Sequence, residues 1–159
     1  GWRTYTSFDS MKYRHLRVIA MDESSGVRNL QSHGKHVFVD YVNFQPQHDW
    51  HDGQWILKIL QNALNRCGIR EVHAHVEIFD GEVSPPGFAA VVLIDESHVS
   101  AHCYLDRGWL AIDAFTCGDN DPDKIVDIIH DSLISTSPNV KQMRRDSVKR
   151  FLHDNQEDN

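Results

Sequence analysis

No stretch of this sequence is apolar for the about 20 residues that crossing a bilayer takes, and no charged-then-apolar leader stands at its start. The expectation is a cytoplasmic protein with no membrane partner. Basic charge is also short: 16 Lys and Arg stand against 23 Asp and Glu, for a formal net charge of -7. A nucleic-acid surface needs a basic stripe to displace counterions from phosphates, and none is present, so no nucleic-acid partner is expected. Lys141 to Arg150 is locally basic and reads as the solvated face of a helix or strand. Cysteine is scarce. Cys67, Cys103 and Cys117 make an odd count without paired spacing, which gives neither a disulfide framework nor a zinc knuckle. Internal repeats and a linker are missing too, so the core of the 159 residues reads as one domain.

Eleven histidines are present, enough for clusters to arise by chance. His48, Asp49, His51 and Asp52 follow no tight ligand spacing and read as a solvated helix entry. His73 and His75, with Glu71 and Glu77, read as the polar face of a strand. No metal site is expected.

Taken in order, residues 1–33 carry scattered aromatics and a basic patch from Lys12 to Arg17, with a short strand expected at Leu16 to Ala20. This segment reads as an N-terminal extension. A single domain is expected over residues 34–159. Lys35 to Asn43 alternates as a first strand, with Val37, Val39 and Tyr41 on one face. After Pro46, Asp49 or Asp52 offers a cap for a helix reaching Arg66. Ile56, Ile59, Leu60, Ala63, Leu64 and Cys67 give it one apolar stripe, and Gly68 ends it. Glu71 to Phe79 is the next strand, and residues 80–86 form an acidic loop closed by two prolines. Gly87 to Asp95 is a central strand. Asp119-Asn120-Asp121-Pro122 caps a second helix striped by Ile125, Ile128, Ile129 and Leu133, and Asn139 to Arg144 makes a last strand. The sum is an α+β two-layer sandwich, a mainly antiparallel sheet with two helices on one face.

The chemistry concentrates between Glu96 and Gly118. Val99, Ala101 and Cys103 alternate with Ser100, His102 and Tyr104, and Trp109 to Phe115 is a second extended run. Only Asp106-Arg107-Gly108 separates the two, so a tight hairpin is expected, returning Cys117 towards Ser97 and His102. By alternation His102 shares a face with Ser100 and Tyr104.

Glu96-Ser97-His98, a further His102, and Phe115-Thr116-Cys117-Gly118 at this spacing resemble the prokaryotic S-adenosylmethionine decarboxylase proenzymes. The likeness extends upstream through Pro86-Gly87 and more faintly to Gly34-Lys35-His36, covering roughly residues 34–135. Proteins of that family cut their own chain before the serine and turn it into a pyruvoyl group. The resemblance implies a cut between Glu96 and Ser97, with Ser97 the source of the pyruvoyl cofactor. It implies His102 as the base that removes the Cα proton of residue 97, and Cys117 as the acid that protonates the substrate carbon. It further implies a lyase acting on S-adenosylmethionine, supplying the aminopropyl donor for spermidine, in a homodimer with its site near or across the interface. Moving an acyl group from nitrogen to a serine oxygen is uphill for a relaxed peptide. A distorted turn and donors aimed at the developing oxyanion are therefore needed.

On the substrate side, Tyr104, Leu105 and Asp106 stand where the family usually shows tryptophan, proline and glutamate. Tyr104 is expected to stack on adenine and Asp106, one methylene shorter than glutamate, to face the ribose, with Phe79 as a second stacking ring. Ala89 replaces a frequent serine, and Cys103 the commoner threonine. The processing residues are kept and the substrate-holding ones altered. That pattern leaves two other readings open: the same chemistry on a basic amino acid such as arginine or ornithine, and an unprocessed, non-catalytic relative that acts as a binding or regulatory partner. A histidine-based metallohydrolase trails them.

Overall fold

The structure, a computed structural model, describes residues 30–47 and 52–154. The basic patch at Lys12 to Arg17, the strand expected at Leu16 to Ala20, and His48, Asp49 and His51 of the polar cluster lie outside the described residues. The chain divides into two compact units, Gly1–Leu30 with Asp154–Asn159, and Gln31–His153. The second unit holds nearly every described residue.

The elements run β1 (Leu30–Gln31), β2 (Gly34–Val42), α1 (Asp52–Arg66), β3 (Glu71–Phe79), β4 (Gly87–Ile94), β5 (Ser97–Tyr104), β6 (Trp109–Cys117), α2 (Pro122–Thr136), β7 (Lys141–Arg150) and β8 (His153–Asp154). Strands β2 to β7 form a six-stranded sheet in the order β3-β4-β5-β6-β2-β7, antiparallel at every pairing. Helix α1 packs on β3 and β4, and α2 on β6 and β2. This is the α+β two-layer sandwich that the alternation of strand and helix signals called for.

Local chemistry accounts for the element ends. Helix α1 closes in a Schellman motif: Gly68 takes a φ of 70°, its N–H reaches Asn65 O at 3.0 Å, and Ile69 N–H reaches Leu64 O at 3.0 Å. Helix α2 opens on Asp121, whose carboxylate accepts from the Asp123 N–H at 3.0 Å, with Pro122 in the first turn. The apolar stripes of both helices face a layer built by alternate residues of the strands: Val37, Val39 and Tyr41 of β2, Phe88, Ala90 and Val92 of β4, and Leu110, Ile112 and Ala114 of β6. Burying each such large side chain contributes about 1.5–3 kcal/mol.

One element bound differs from the pattern read along the chain. The last strand runs from Lys141 to Arg150, longer than the expected Asn139 to Arg144, because it pairs with the whole length of β2. It forms one edge of the sheet, where its charged side chains stay solvated and discourage further pairing. The first long strand, β2, sits inside the sheet between β6 and β7.

Candidate active site

Strands β4 and β5 are joined by Asp95 and Glu96 alone, with Ile94 opposite Ser97. Glu96 has a φ of 62° and is one of three non-glycine residues in the left-handed region among those described. A left-handed residue in the second position of a two-residue loop belongs to the type II turn, which normally places glycine there. For an L-residue with a side chain the conformation costs roughly 1–2 kcal/mol. The strain therefore sits in the residue whose carbonyl precedes Ser97.

Two groups meet at that peptide. The Cys117 thiol, at the end of β6, donates to the Glu96 carbonyl oxygen at 3.4 Å. Antiparallel pairing brings it there, because His98 lies opposite Phe115 and the next positions outward are Ser97 and Thr116, then Glu96 and Cys117. Ser97 is buried, and its Oγ has no hydrogen-bond partner among the described residues. A buried hydroxyl without a partner is uncommon, and here it lies beside a strained peptide.

An aromatic and cationic cluster stands next to this turn. The Phe115 ring is met edge-on by His98 at 5.7 Å and lies 6.2 Å from His36. Phe151 lies 5.8 Å from it, and the Arg150 guanidinium stands 4.9 Å over its face. His36 Nε2 and Asp113 Oδ1 are 2.8 Å apart. Burial, with help from the nearby His36, holds the His98 imidazole below its ordinary pKa and so favours its neutral form. Cys103 lies on the helix face, where burial and the charges of Asp52 and Asp106 push its thiol up to about 12.

His102 is not part of this cluster. It stands five residues along β5 from Ser97, roughly 16 Å by strand rise, and by alternation projects from the face that no described helix covers (the helix-free face below), whereas Ser97 shares the parity of the buried Val99 and Ala101. The hairpin thus returns Cys117 to Glu96 and Ser97 but not to His102. The reason is register: His102 faces Ala89 on one side and Ala111 on the other. The exposed imidazole instead lines a groove of about 340 Å³ with Asp40, Tyr41, Tyr104, Trp109 and Met143.

Phe79, Gly87, Tyr104 and Trp109 form one row across four strands on this face. A Cβ on Gly87 would lie 1.9 Å from the Cys103 carbonyl oxygen, so only glycine fits. The row therefore has a gap between the Phe79 and Tyr104 positions, two strand spacings or about 10 Å wide. Trp109 meets Tyr104 edge-to-face at 6.1 Å. Trp109, named along the chain only as the start of an extended run, joins this row through its place opposite Tyr104 in the hairpin, which is the sequence signal for it. Asp106 lies in the turn between β5 and β6, outside the groove. Among the described residues, no three His, Cys, Asp or Glu side chains are grouped to hold a metal ion, and no helix is long and apolar enough to cross a membrane.

Comparison with known proteins points to one family. The profile of the S-adenosylmethionine decarboxylase family covers residues 35–146. The S-adenosylmethionine decarboxylase proenzyme of Brevibacillus brevis is 32% identical over 114 residues, 70% of this chain and 81% of that protein. The proenzyme of Bacillus velezensis is 38% identical over 84 residues, 52% of this chain and 62% of that protein. That of Pyrococcus horikoshii is 36% identical over 95 residues, 59% and 66% of the two chains. With these last two, the chain spans just under two thirds of the relative's length. The crystal structure of the adenosylmethionine decarboxylase from Aquifex aeolicus superposes with a TM-score of 0.53 at 23% identity, over 78% of this chain and 91% of that one, and shows the same fold. The matched span takes in the strained turn, Ser97, His102 and Cys117 together, and the chain belongs to the S-adenosylmethionine decarboxylase family.

Proposed function

We propose that this chain is a proenzyme that cuts itself between Glu96 and Ser97 and then decarboxylates S-adenosylmethionine, giving the aminopropyl donor for spermidine. One observation carries the reading: a left-handed Glu96 whose carbonyl accepts from the Cys117 thiol, next to a buried Ser97 hydroxyl without a partner among the described residues. In the first step Ser97 Oγ bonds to the Glu96 carbonyl carbon. The carbon–nitrogen bond breaks, leaving an ester and a free amine on residue 97. Relief of the strained turn favours this shift, and the Cys117 S–H is placed to hold the negative oxygen that develops. Removal of the Cα proton of residue 97 then expels the Glu96 carboxylate from the Cβ carbon and leaves a dehydroalanine, which takes a proton at Cβ and loses one from nitrogen to become an imine. Water replaces the nitrogen of the resulting imine, and ammonia leaves.

An imidazole is suited to taking that proton near neutral pH. His102 of the same chain stands too far from residue 97. The reading therefore includes a homodimer, in which His102 of a second copy completes the site. The helix-free sheet face, with His102, Tyr104 and Trp109 on it, is the surface through which such copies would meet.

The pyruvoyl group left at residue 97 supplies a carbonyl that holds a substrate amine and takes up the electron pair released with carbon dioxide. Cys117, within reach of the same position, is the group to deliver a proton to the carbon that has lost carbon dioxide. The aromatic row of Phe79, Tyr104 and Trp109 around Gly87 favours a planar nucleoside over a free basic amino acid.

Intact mass of the purified protein tests the reading. Two fragments, residues 1–96 and a chain starting at residue 97, are expected, and Ser97→Ala should stay whole. Borohydride treatment with S-adenosylmethionine should add substrate mass to the second fragment. An undivided chain that releases carbon dioxide from S-adenosylmethionine at full rate would overturn it.

A further inference from the structure

The turn bearing Glu96 is tied down from a second side. Arg70 stands in the connection between α1 and β3, and its guanidinium holds the Asp95 carboxylate through two hydrogen bonds, Nε to Oδ2 at 3.0 Å and Nη2 to Oδ1 at 2.5 Å. A bidentate pair of this kind sets orientation as well as distance. Asp95 is the first of the two residues linking β4 to β5, so fixing its side chain restricts the peptide that follows. The anchor is itself held, because Ile69, next to Arg70, closes the Schellman motif of α1 through Leu64 O.

A left-handed Glu96 gains by relaxing unless its surroundings prevent it. Cys117 grips the Glu96 carbonyl from the β6 side. On the other side, the side chain among the described residues that bonds this turn is that of Arg70. We propose that the Arg70–Asp95 pair is a positioning device for self-cleavage, holding the two-residue turn in the strained conformation from which Ser97 reaches the Glu96 carbonyl.

This inference rests on the reading that the chain cuts itself at that bond. Both side chains are mostly exposed, 75% and 56%, so the pair adds little to global stability, and its effect is local. The hydrogen bonds from Arg70 hold the Asp95 carboxyl below its usual range. The clamp is therefore complete at neutral pH and is lost only as pH falls through that lowered value. Once the bond is cut, the same pair keeps the new chain end at Glu96 in register with β4.

The test follows cleavage of freshly synthesised full-length chain by intact mass over time. Arg70→Ala and Asp95→Ala should each slow the appearance of the two fragments roughly three- to fivefold. The double variant should be no slower than either single one, and the exchanged pair Arg70→Asp with Asp95→Arg should recover at least half of the lost rate. In an uncut Ser97→Ala background, adding Arg70→Ala should leave the melting temperature within about 2 °C. Cleavage of Arg70→Ala at the wild-type rate overturns the inference and leaves the cleavage reading intact. So does a double variant slowed by the product of the single effects, or a slowing matched by a large fall in melting temperature. A wild-type chain that never divides overturns both.

Discussion

Glu96 carries a backbone conformation that its own side chain opposes, and the cost is met by contacts from elsewhere in the fold. Glycine adopts a φ of 62° without that penalty but loses more chain entropy on folding. In the uncut Ser97→Ala background, Glu96→Gly should therefore raise stability by up to about 1 kcal/mol in urea unfolding. With Ser97 present, the same substitution should slow cleavage, because less strain is released when the bond shifts. Faster cleavage in the glycine variant would show that the strain is incidental to the reaction. Cys117 is the complementary residue: its thiol touches the one carbonyl that the proposed reaction consumes.

Among the elements, the β4–β5–β6 meander decides which groups can meet. Its tight turn between β4 and β5 brings Glu96 and Ser97 to the end of β6, and its pairing places the aromatic row at the opposite end. Gly87 is the tightest point of that pairing, since a Cβ there would strike the Cys103 carbonyl at 1.9 Å. Backbone rather than a flexible side chain is what it meets, so the strands themselves must part. Gly87→Ala should destabilise the fold by about 2–3 kcal/mol, seen as a lower urea midpoint. It should also perturb the gap between Phe79 and Tyr104 more than the Asp95–Glu96 turn, which amide exchange of the two hairpin ends would distinguish. Comparable protection loss at both ends would count against this local account.

For the molecule as a whole, the feature of greatest consequence is the sheet face that no described helix covers, with Tyr104 and Trp109 half exposed beside His102. The proposed homodimer assigns His102 of one copy to residue 97 of the other, and this has a direct consequence. A His102→Ala chain alone should stay uncut. Produced together with a Ser97→Ala chain, it should be cut, because the second chain lends its intact His102 to the Ser97 of the first. Persistence of the uncut His102→Ala chain in that mixture, with the two chains shown to associate, would place the base within one chain or on another residue.

Much of this was open to reading along the chain, and for a definite reason. The stripe of α1, the Gly68 stop, the Asp121-Pro122 start of α2 and the alternation in β5 are local, set by residues within a few positions of one another. The hairpin was legible too, and with it the approach of Cys117 to the turn. The opposite faces of Ser97 and His102 were implied by their odd separation, yet nearness along the chain hid it. Other features depend on pairings between distant segments. β2 enters the sheet between β6 and β7. Arg70 reaches Asp95, 25 residues away, only because β3 lies against β4. Glu96 is left-handed only where distant groups hold it so. Local propensity could name the strands and helices of this protein, but which strand lies beside which, and where strain is stored, came from contacts that exist only once the sheet is assembled.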